Sequence, residues 1–419
     1  MARRTAPAPA LVAAALLLSA CAQPGDSSAA SGGGQADDGG DIVFGQLLGI
    51  TGDYASFSPP AISAAEIAIE EINEAGGVLG REVTFVAEDA RSTVDGAIAG
   101  YQKTVSVDGA QVLGSLESDS IVALFDTITD QQLPTMCSSC GTTFLDENGG
   151  EYFFRVTASD SDSGLIAAQL ARDSGFTNMA MIVQNTEGAS GPAEVAETAF
   201  SGIEGNEVSQ VTIEPGASSY SAEVDQALSA QPDVIYVGAG IEAGLPVLRE
   251  IDRRGYDVPI IVSPDLILDE TTTVPNADQL VASLTAFDTE SPTYESFAER
   301  FRAETGDEPS PGLYDANAYD QYILFALAMQ AAGSTDGSDV AGQIIDVASA
   351  PGTKVYSYAE GLEALENGED IDFEGASSSL DMNETGNLLS PQLSILRVTD
   401  GAWTPTESVE IDASLRPSN

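Results

Sequence analysis

The chain has 419 residues, of which 66 are Asp or Glu and only 15 are Lys or Arg, giving a formal net charge of −51, and it contains no histidine. So strong a negative field repels nucleic acid, whose recognition needs a basic face. Without histidine the commonest general base, the commonest metal ligand and the middle member of a hydrolase triad are all missing, so neither an enzyme nor a metal or cofactor site is expected.

The 43% of hydrophobic residues supply material for two large cores, so the charge does not signal disorder. Crowded acids repel one another unless salt screens them, and the composition fits a saline medium. At the N-terminus, Arg3 and Arg4 precede an apolar run at 11–18 and then Leu18-Ser19-Ala20-Cys21. A positive end, a short apolar core and small residues before a cut site read as a secretory signal. The run is too short for a bilayer, which needs about 20 apolar residues. Cys21 after Leu-Ser-Ala resembles the lipobox of bacterial lipoproteins, which implies that Cys21 is lipidated and becomes the mature N-terminus; the alternative is an ordinary signal with an incidental Cys. Residues 22–40 lack apolar periodicity and read as a flexible tether. The expected location is extracytoplasmic, lipid-anchored to the outer face of the cell membrane.

From residue 41 short apolar runs alternate with amphipathic stretches. Residues 42–50 read as a buried strand and 60–75 as a helix with Ile62, Ala65, Ile69 and Ile72 on one face, stopped by Gly76-Gly77. Strand 82–86, helix 94–105, strand 111–114, helix 118–129 and strand 133–137 follow. A second series opens after 152–156, with helices at 163–173, 193–200, 221–230 and 242–253 between strands at 178–183, 207–213, 233–237 and 259–262. This βα alternation predicts two parallel sheets covered by helices. Helices near 293–304 and 316–332 and a β-rich tail from 354 read as additions to the two lobes. The expected division is 41–157 plus 288–353 for lobe 1 and 158–287 plus 354–419 for lobe 2.

Several motifs invite chemistry that their context does not support. Gly238-Ala239-Gly240 through Gly244 sits where a dinucleotide loop would, but its spacing is one residue too long, and it reads as a tight strand-to-helix turn. Asp160-Ser161-Asp162 and Asp381-Met382-Asn383 begin like calcium loops, yet the twelfth positions are Ala171 and Gln392, so a helix cap and a hairpin turn account for them. Cys137 and Cys140 either close a small disulfide or remain two buried thiols.

A further set of segments carries a family pattern. Gly49-Ile50-Thr51-Gly52-Asp53-Tyr54-Ala55, then Ile69-Glu70-Glu71-Ile72-Asn73 running to Gly76-Gly77-Val78-Leu79-Gly80-Arg81, then Glu88-Asp89, closely resemble the N-terminal signature of the Leu/Ile/Val-binding family of periplasmic solute-binding proteins. Phe154-Arg155-Val156 leading into Ser159-Asp160, and Phe373-Glu374-Gly375-Ala376-Ser377 before Asp381, fit the same pattern, so the resemblance spans about 41–407. It implies an α/β fold of two doubly wound parallel-sheet lobes joined by a multi-strand hinge, crossed three times, closing on a small molecule for delivery to an ABC permease in the membrane. The implied ligand is an amino acid or related small amide; a ligand-sensing subunit of a membrane receptor is the alternative use of the same clamp.

By the same resemblance, the ligand carboxylate meets Ser118, at the start of a helix where free N–H groups and the dipole favour an anion, and Ser139 in the next loop. Gly141 stands where the family often has Thr, with Thr142 one place later. The acid that holds the ligand ammonium falls on Asp265. The aromatic clamps of the second lobe fall on Ala189 and Gly240, which predicts a widened cleft, with Phe57 as an apolar wall and Tyr54 nearby.

Overall fold

The computed structural model describes residues 40–416 apart from Leu116 and Ser390. Arg3, Arg4, the apolar run and Cys21 lie outside the described residues.

Lobe 1 opens with β1 (Ile42–Leu48), α1 (Ser58–Glu74), β2 (Val83–Asp89), α2 (Val94–Tyr101), β3 (Val112–Ser115), α3 (Ser118–Asp130), β4 (Thr135–Cys137), α4 (Leu145–Asn148) and β5 (Phe153–Arg155). The strands are all parallel, in the order β2-β1-β3-β4-β5. Helices cover both faces, so β1 buries Ile42, Phe44, Leu47 and Leu48 in succession, which is why it reads as a nearly unbroken apolar run. Gly76 and Gly77 end α1 with φ of 109° and 75°, and the Gly77 N–H returns to the Ile72 carbonyl at 2.9 Å.

Lobe 2 comprises α5 (Asp160–Asp173), β6 (Asn178–Gln184), α6 (Glu187–Ser201), β7 (Glu207–Ile213), α7 (Ser221–Leu228), β8 (Val234–Gly238), α8 (Ile241–Arg253), β9 (Ile260–Val262) and β10 (Leu280–Thr285). The chain then returns to lobe 1 as α9 (Pro292–Thr305), α10 (Asp315–Ala332), α11 (Gly337–Ala348), β11 (Thr353–Val355), α12 (Tyr358–Glu366) and β12 (Ile371–Phe373), and goes back to lobe 2 as β13 (Leu393–Thr399) and β14 (Ala402–Val409). The second sheet has the order β14-β13-β10-β9-β8-β6-β7, with β13 and β14 antiparallel. Three crossings therefore join the lobes, after β5, after β10 and before β13.

α10 is the spine of lobe 1. It is buried from Asp315 to Met329 and packs against α1 and α11; a helix apolar on most sides belongs inside a fold. Its Asp320 accepts from the Ala376 N–H at 2.6 Å and the Ser377 N–H at 2.8 Å, which ties the segment after β12 to the same core.

That contact is part of a correction to the expected division. Residues 354–388 were expected in lobe 2, yet Val355, Tyr358, Phe373, Leu380 and Met382 lie in the core of lobe 1. The Tyr358 hydroxyl donates to the Gly77 carbonyl at 2.9 Å and its N–H to Glu71 Oε1 at 3.0 Å, so this segment closes over α1. Only β13 and β14 join the second sheet. The tail also contains α12 and is less β-rich than expected.

Candidate functional site

The lobes meet over a small cavity lined by Tyr54, Ser118, Ser139, Asp160, Gly188, Pro264, Asp265 and Tyr314. All the strand ends that feed it are C-terminal ends of parallel strands, where open α/β sheets place their ligands.

One wall is set by α3. Glu117 occupies its N-cap position but makes no side-chain cap; its carboxylate accepts instead from the Ser120 hydroxyl at 2.5 Å. Burial pushes the Glu117 carboxyl up to about 7. The first N–H groups of α3, beside Ser118, thus remain without a side-chain cap from the helix itself and suit an anion. Ser139 comes from the loop after β4, which is tied twice. Cys137 and Cys140 form a disulfide, and Arg155, only 1% exposed on β5, donates to the Gly141 carbonyl at 2.9 Å and the Thr142 carbonyl at 3.1 Å while pairing with Asp146. The orientation of Ser139 is therefore built into the lobe.

The rest of the lining is acidic and aromatic. Asp265 sits in a single helical turn, Pro264–Leu266, after β9, and Asp160 in the first turn of α5. Burial raises the Asp160 carboxyl to about 8, with Asp265 adding to the shift and Arg155 opposing it. Burial likewise lifts Asp265 to about 7, reinforced by Asp53 and Asp119. Burial and then the Asp265 charge hold the hydroxyls of both Tyr54 and Tyr314 well above their usual range.

Contacts between the lobes draw the cavity shut. Asp119 Oδ1 accepts from the Glu187 N–H at 2.9 Å, Asp53 Oδ1 from the Glu242 N–H at 2.9 Å, and Glu187 Oε1 from the Thr142 hydroxyl at 2.8 Å. The remaining space is about 20 Å³, little more than one water requires. A ligand the size of an amino acid needs the lobes rotated apart about the three crossings. A larger hollow of about 990 Å³ is lined by Arg155 and Arg416 among others, and these cations are paired with Asp146 and Asp162.

Of the expected site residues, Tyr54, Ser118, Ser139 and Asp265 line the cavity and Phe57, Gly141 and Thr142 do not. Phe57 is buried behind it, with ring centroids 5.9 Å from Tyr54 and 6.2 Å from Tyr314. Gly141 leaves room for the Asp160 carboxylate, which a Cβ there would overlap. Thr142 is spent on the bond to Glu187. A Cβ on Gly240 would lie 2.6 Å from the Asp53 carboxyl carbon, so that acid fills the space of the missing ring, and Tyr54 and Tyr314 supply rings from elsewhere.

Four lining residues, Asp160, Gly188, Pro264 and Tyr314, are absent from the sequence reading of the site. Asp160 was taken for part of a helix cap; Ser159 does cap α5, accepting from the Ser161 N–H at 3.0 Å, and this leaves Asp160 free to line the cavity. Tyr314 precedes α10 in the left-handed region, at φ 55°, and nothing in its local pattern signals that turn.

A family model described as periplasmic binding protein matches residues 41–402. A Leu/Ile/Val-binding protein homologue of Brucella melitensis is 25% identical over 366 residues, covering 86% of this chain and 92% of the relative. A substrate-binding protein of a chemotactic signal transduction system in Halobacterium salinarum is 24% identical over 360 residues, covering 82% of this chain and 84% of the relative. The fold is similar to that of a leucine-binding protein of Thermotoga maritima, with a TM-score of 0.74 at 20% identity over 88% of this chain and 98% of the other.

Proposed function

This chain belongs to the periplasmic binding protein family, and from that premise we propose that it is the extracytoplasmic substrate-binding component of an ABC importer, taking an amino acid or a related small amide. The observation that carries this reading is the presence of hydroxyl donors and carboxyl acceptors in one cavity. Ser118 at the start of α3 and Ser139 offer donors to a carboxylate, and Asp160 and Asp265 offer two acceptors to an ammonium. A zwitterion has both charges, at the separation of one small molecule. Closure removes both from water, where charge-assisted hydrogen bonds gain strength.

The cycle follows from the geometry. The open lobes admit the ligand; its carboxylate docks on lobe 1; rotation brings Asp265 on lobe 2 against the ammonium; the closed form is presented to a permease. No step breaks a covalent bond, so the protein acts without turnover. Lipidation at Cys21 would keep the clamp at the outer face of the membrane, and Cys21→Ser should release it into the medium.

Native mass spectrometry of freshly purified protein, followed by titration with the species found, tests the reading. A retained or binding amino acid or amide is expected. A retained sugar, or indifference to every amino acid and amide, would overturn it. The similarity to the Halobacterium salinarum protein favours one second reading, a sensing subunit that hands the closed form to a receptor. Loss of ligand uptake on deletion of this protein supports import, whereas intact uptake with a lost behavioural response supports sensing.

A further inference from the structure

We propose that Asp53 and Asp119 form a closure latch: two carboxylates of lobe 1 that cap, across the cleft, the N-termini of two helices of lobe 2. The inference rests on the clamp reading above and adds residues that line no part of the cavity.

Both helices start without a cap of their own. α6 follows Thr186 and α8 follows Gly240, and neither residue supplies a side-chain hydrogen bond to its helix. An uncapped helix start leaves free N–H groups and the positive end of a dipole. Asp119 answers at α6, with Oδ1 accepting from the Glu187 N–H at 2.9 Å and Oδ2 from the Gly188 N–H at 3.5 Å. Asp53 answers at α8, with Oδ1 accepting from the Glu242 N–H at 2.9 Å and Oδ2 from the Gln184 side-chain amide at 3.3 Å. Gln184 in turn accepts from the Gly240 N–H at 3.0 Å, so the same amide holds the start of α8 and the incoming acid.

The receiving surface is shaped for this contact. A side chain at Gly240 would collide with the Asp53 carboxyl group, while the local backbone, at φ −68° and ψ 167°, is open to any residue. The glycine is therefore required by the approach of lobe 1 and not by the turn. Charge-assisted bonds between a carboxylate and backbone N–H groups are roughly twice as strong as neutral ones. In the open form the same groups are solvated, so the bonds act on the equilibrium between open and closed forms and not on the folding of either lobe. A protein whose binding-competent state is partly populated binds in proportion to that population.

The test reads the distance between the lobes directly, in mature protein dialysed free of small molecules at fixed high salt. Asp126→Cys on lobe 1 and Gln226→Cys on lobe 2, both exposed, carry spin labels for pulsed electron resonance. The double variant Asp53→Ala/Asp119→Ala should move the distribution to longer distances, with the closed fraction down about tenfold or more. Gly240→Ala should do the same from the other lobe with both acids intact. Asp53→Asn, which keeps an acceptor oxygen, should fall between wild type and Asp53→Ala. An unchanged distribution in the double variant and in Gly240→Ala overturns the latch. Because no ligand is added, a wrong ligand class would leave this outcome untouched.

Discussion

Asp160 and Asp265 approach one cavity from two elements of lobe 2, and burial keeps both carboxyls high, at about 8 and about 7. Below these values they carry protons that a ligand ammonium must displace. The sign is therefore fixed: affinity falls as pH drops from about 8 to about 6, and binding near pH 7 releases protons to the buffer. Calorimetry in two buffers of different ionisation enthalpy checks this, and a pH-independent affinity would show that no cation reaches the acids. Truncating one acid leaves the cation half paired, at a cost of about 2–5 kcal/mol, so Asp265→Ala should weaken binding roughly 30-fold or more. Ser118→Ala leaves the N–H groups of α3 in place and should cost less. An Asp265→Ala protein with wild-type affinity would remove this residue from the site. Asp265 entered through the family resemblance, which puts an acid at that strand end, and it does line the cavity. Asp160 was not legible, since a Ser-Asp pair before a helix reads equally well as a cap. Phe57 was misplaced because an aromatic near a loop gives no sign of whether its ring faces the cavity or backs it.

At the scale of elements, the loop that presents Ser139 is held by two devices of unequal strength. The disulfide spans only three residues of sequence, and so short a ring restricts the unfolded chain by about 2 kcal/mol at most in the loop-entropy picture. Arg155 is buried and serves two carbonyls and Asp146 at once, so removing it leaves two carbonyl acceptors unserved and Asp146 with only the Ser159 and Ser161 hydroxyls, a loss of more than about 2 kcal/mol. Arg155→Leu should therefore lower the denaturant midpoint more than Cys137→Ala/Cys140→Ala does, and the reverse order would show that the crosslink is the main tie. Reduction should weaken ligand binding modestly without giving disulfide-exchange activity, and efficient reduction of insulin by the protein would contradict a purely structural disulfide. Most elements were legible from period and punctuation: the glycines after α1 and the apolar runs of β6 and β8 mark their own limits. The start of α6 was read six residues late, because Gly188, Gly191 and Pro192 disguise a helix whose first turn lies at the interface between lobes. The segment 354–388 was assigned to the wrong lobe because its destination is set by contacts with α1 and α10, distant in sequence.

At the scale of the whole molecule, charge acts in two ways that experiment can separate. The surface carries a large unpaired excess of acids. With 66 acids against 15 Lys and Arg, and cations such as Lys103 and Lys354 each already paired, added salt screens far more repulsion than attraction. Taking NaCl from near zero to 1 M shortens the screening length to roughly 3 Å. The melting temperature should rise by more than about 10 °C, since each kcal/mol is worth about 2–4 °C in domains of 150–250 residues; a flat or falling response rules out adaptation to salt. The buried acids lie beyond this screening. Glu117, Asp265, Asp315 and Asp320 are each raised to about 7 and Asp160 to about 8, burial being the leading cause in every case. Unfolded, such groups titrate near 4. Between about pH 4 and about pH 8 the folded chain thus binds more protons than the unfolded one, and stability must fall as pH rises through that window. Melts at pH 5, 6, 7 and 8 in 2 M NaCl, with small molecules dialysed away, should show the highest melting temperature near pH 5 and a steady decline to pH 8. The slope should shrink when a cationic ligand is added, because its charge replaces the protons on Asp160 and Asp265. A protein equally stable at pH 5 and pH 8 under those conditions would mean that these carboxyls are ionised and solvated in the folded chain, and with that the anionic wall of the cavity would lose its claim to select an ammonium.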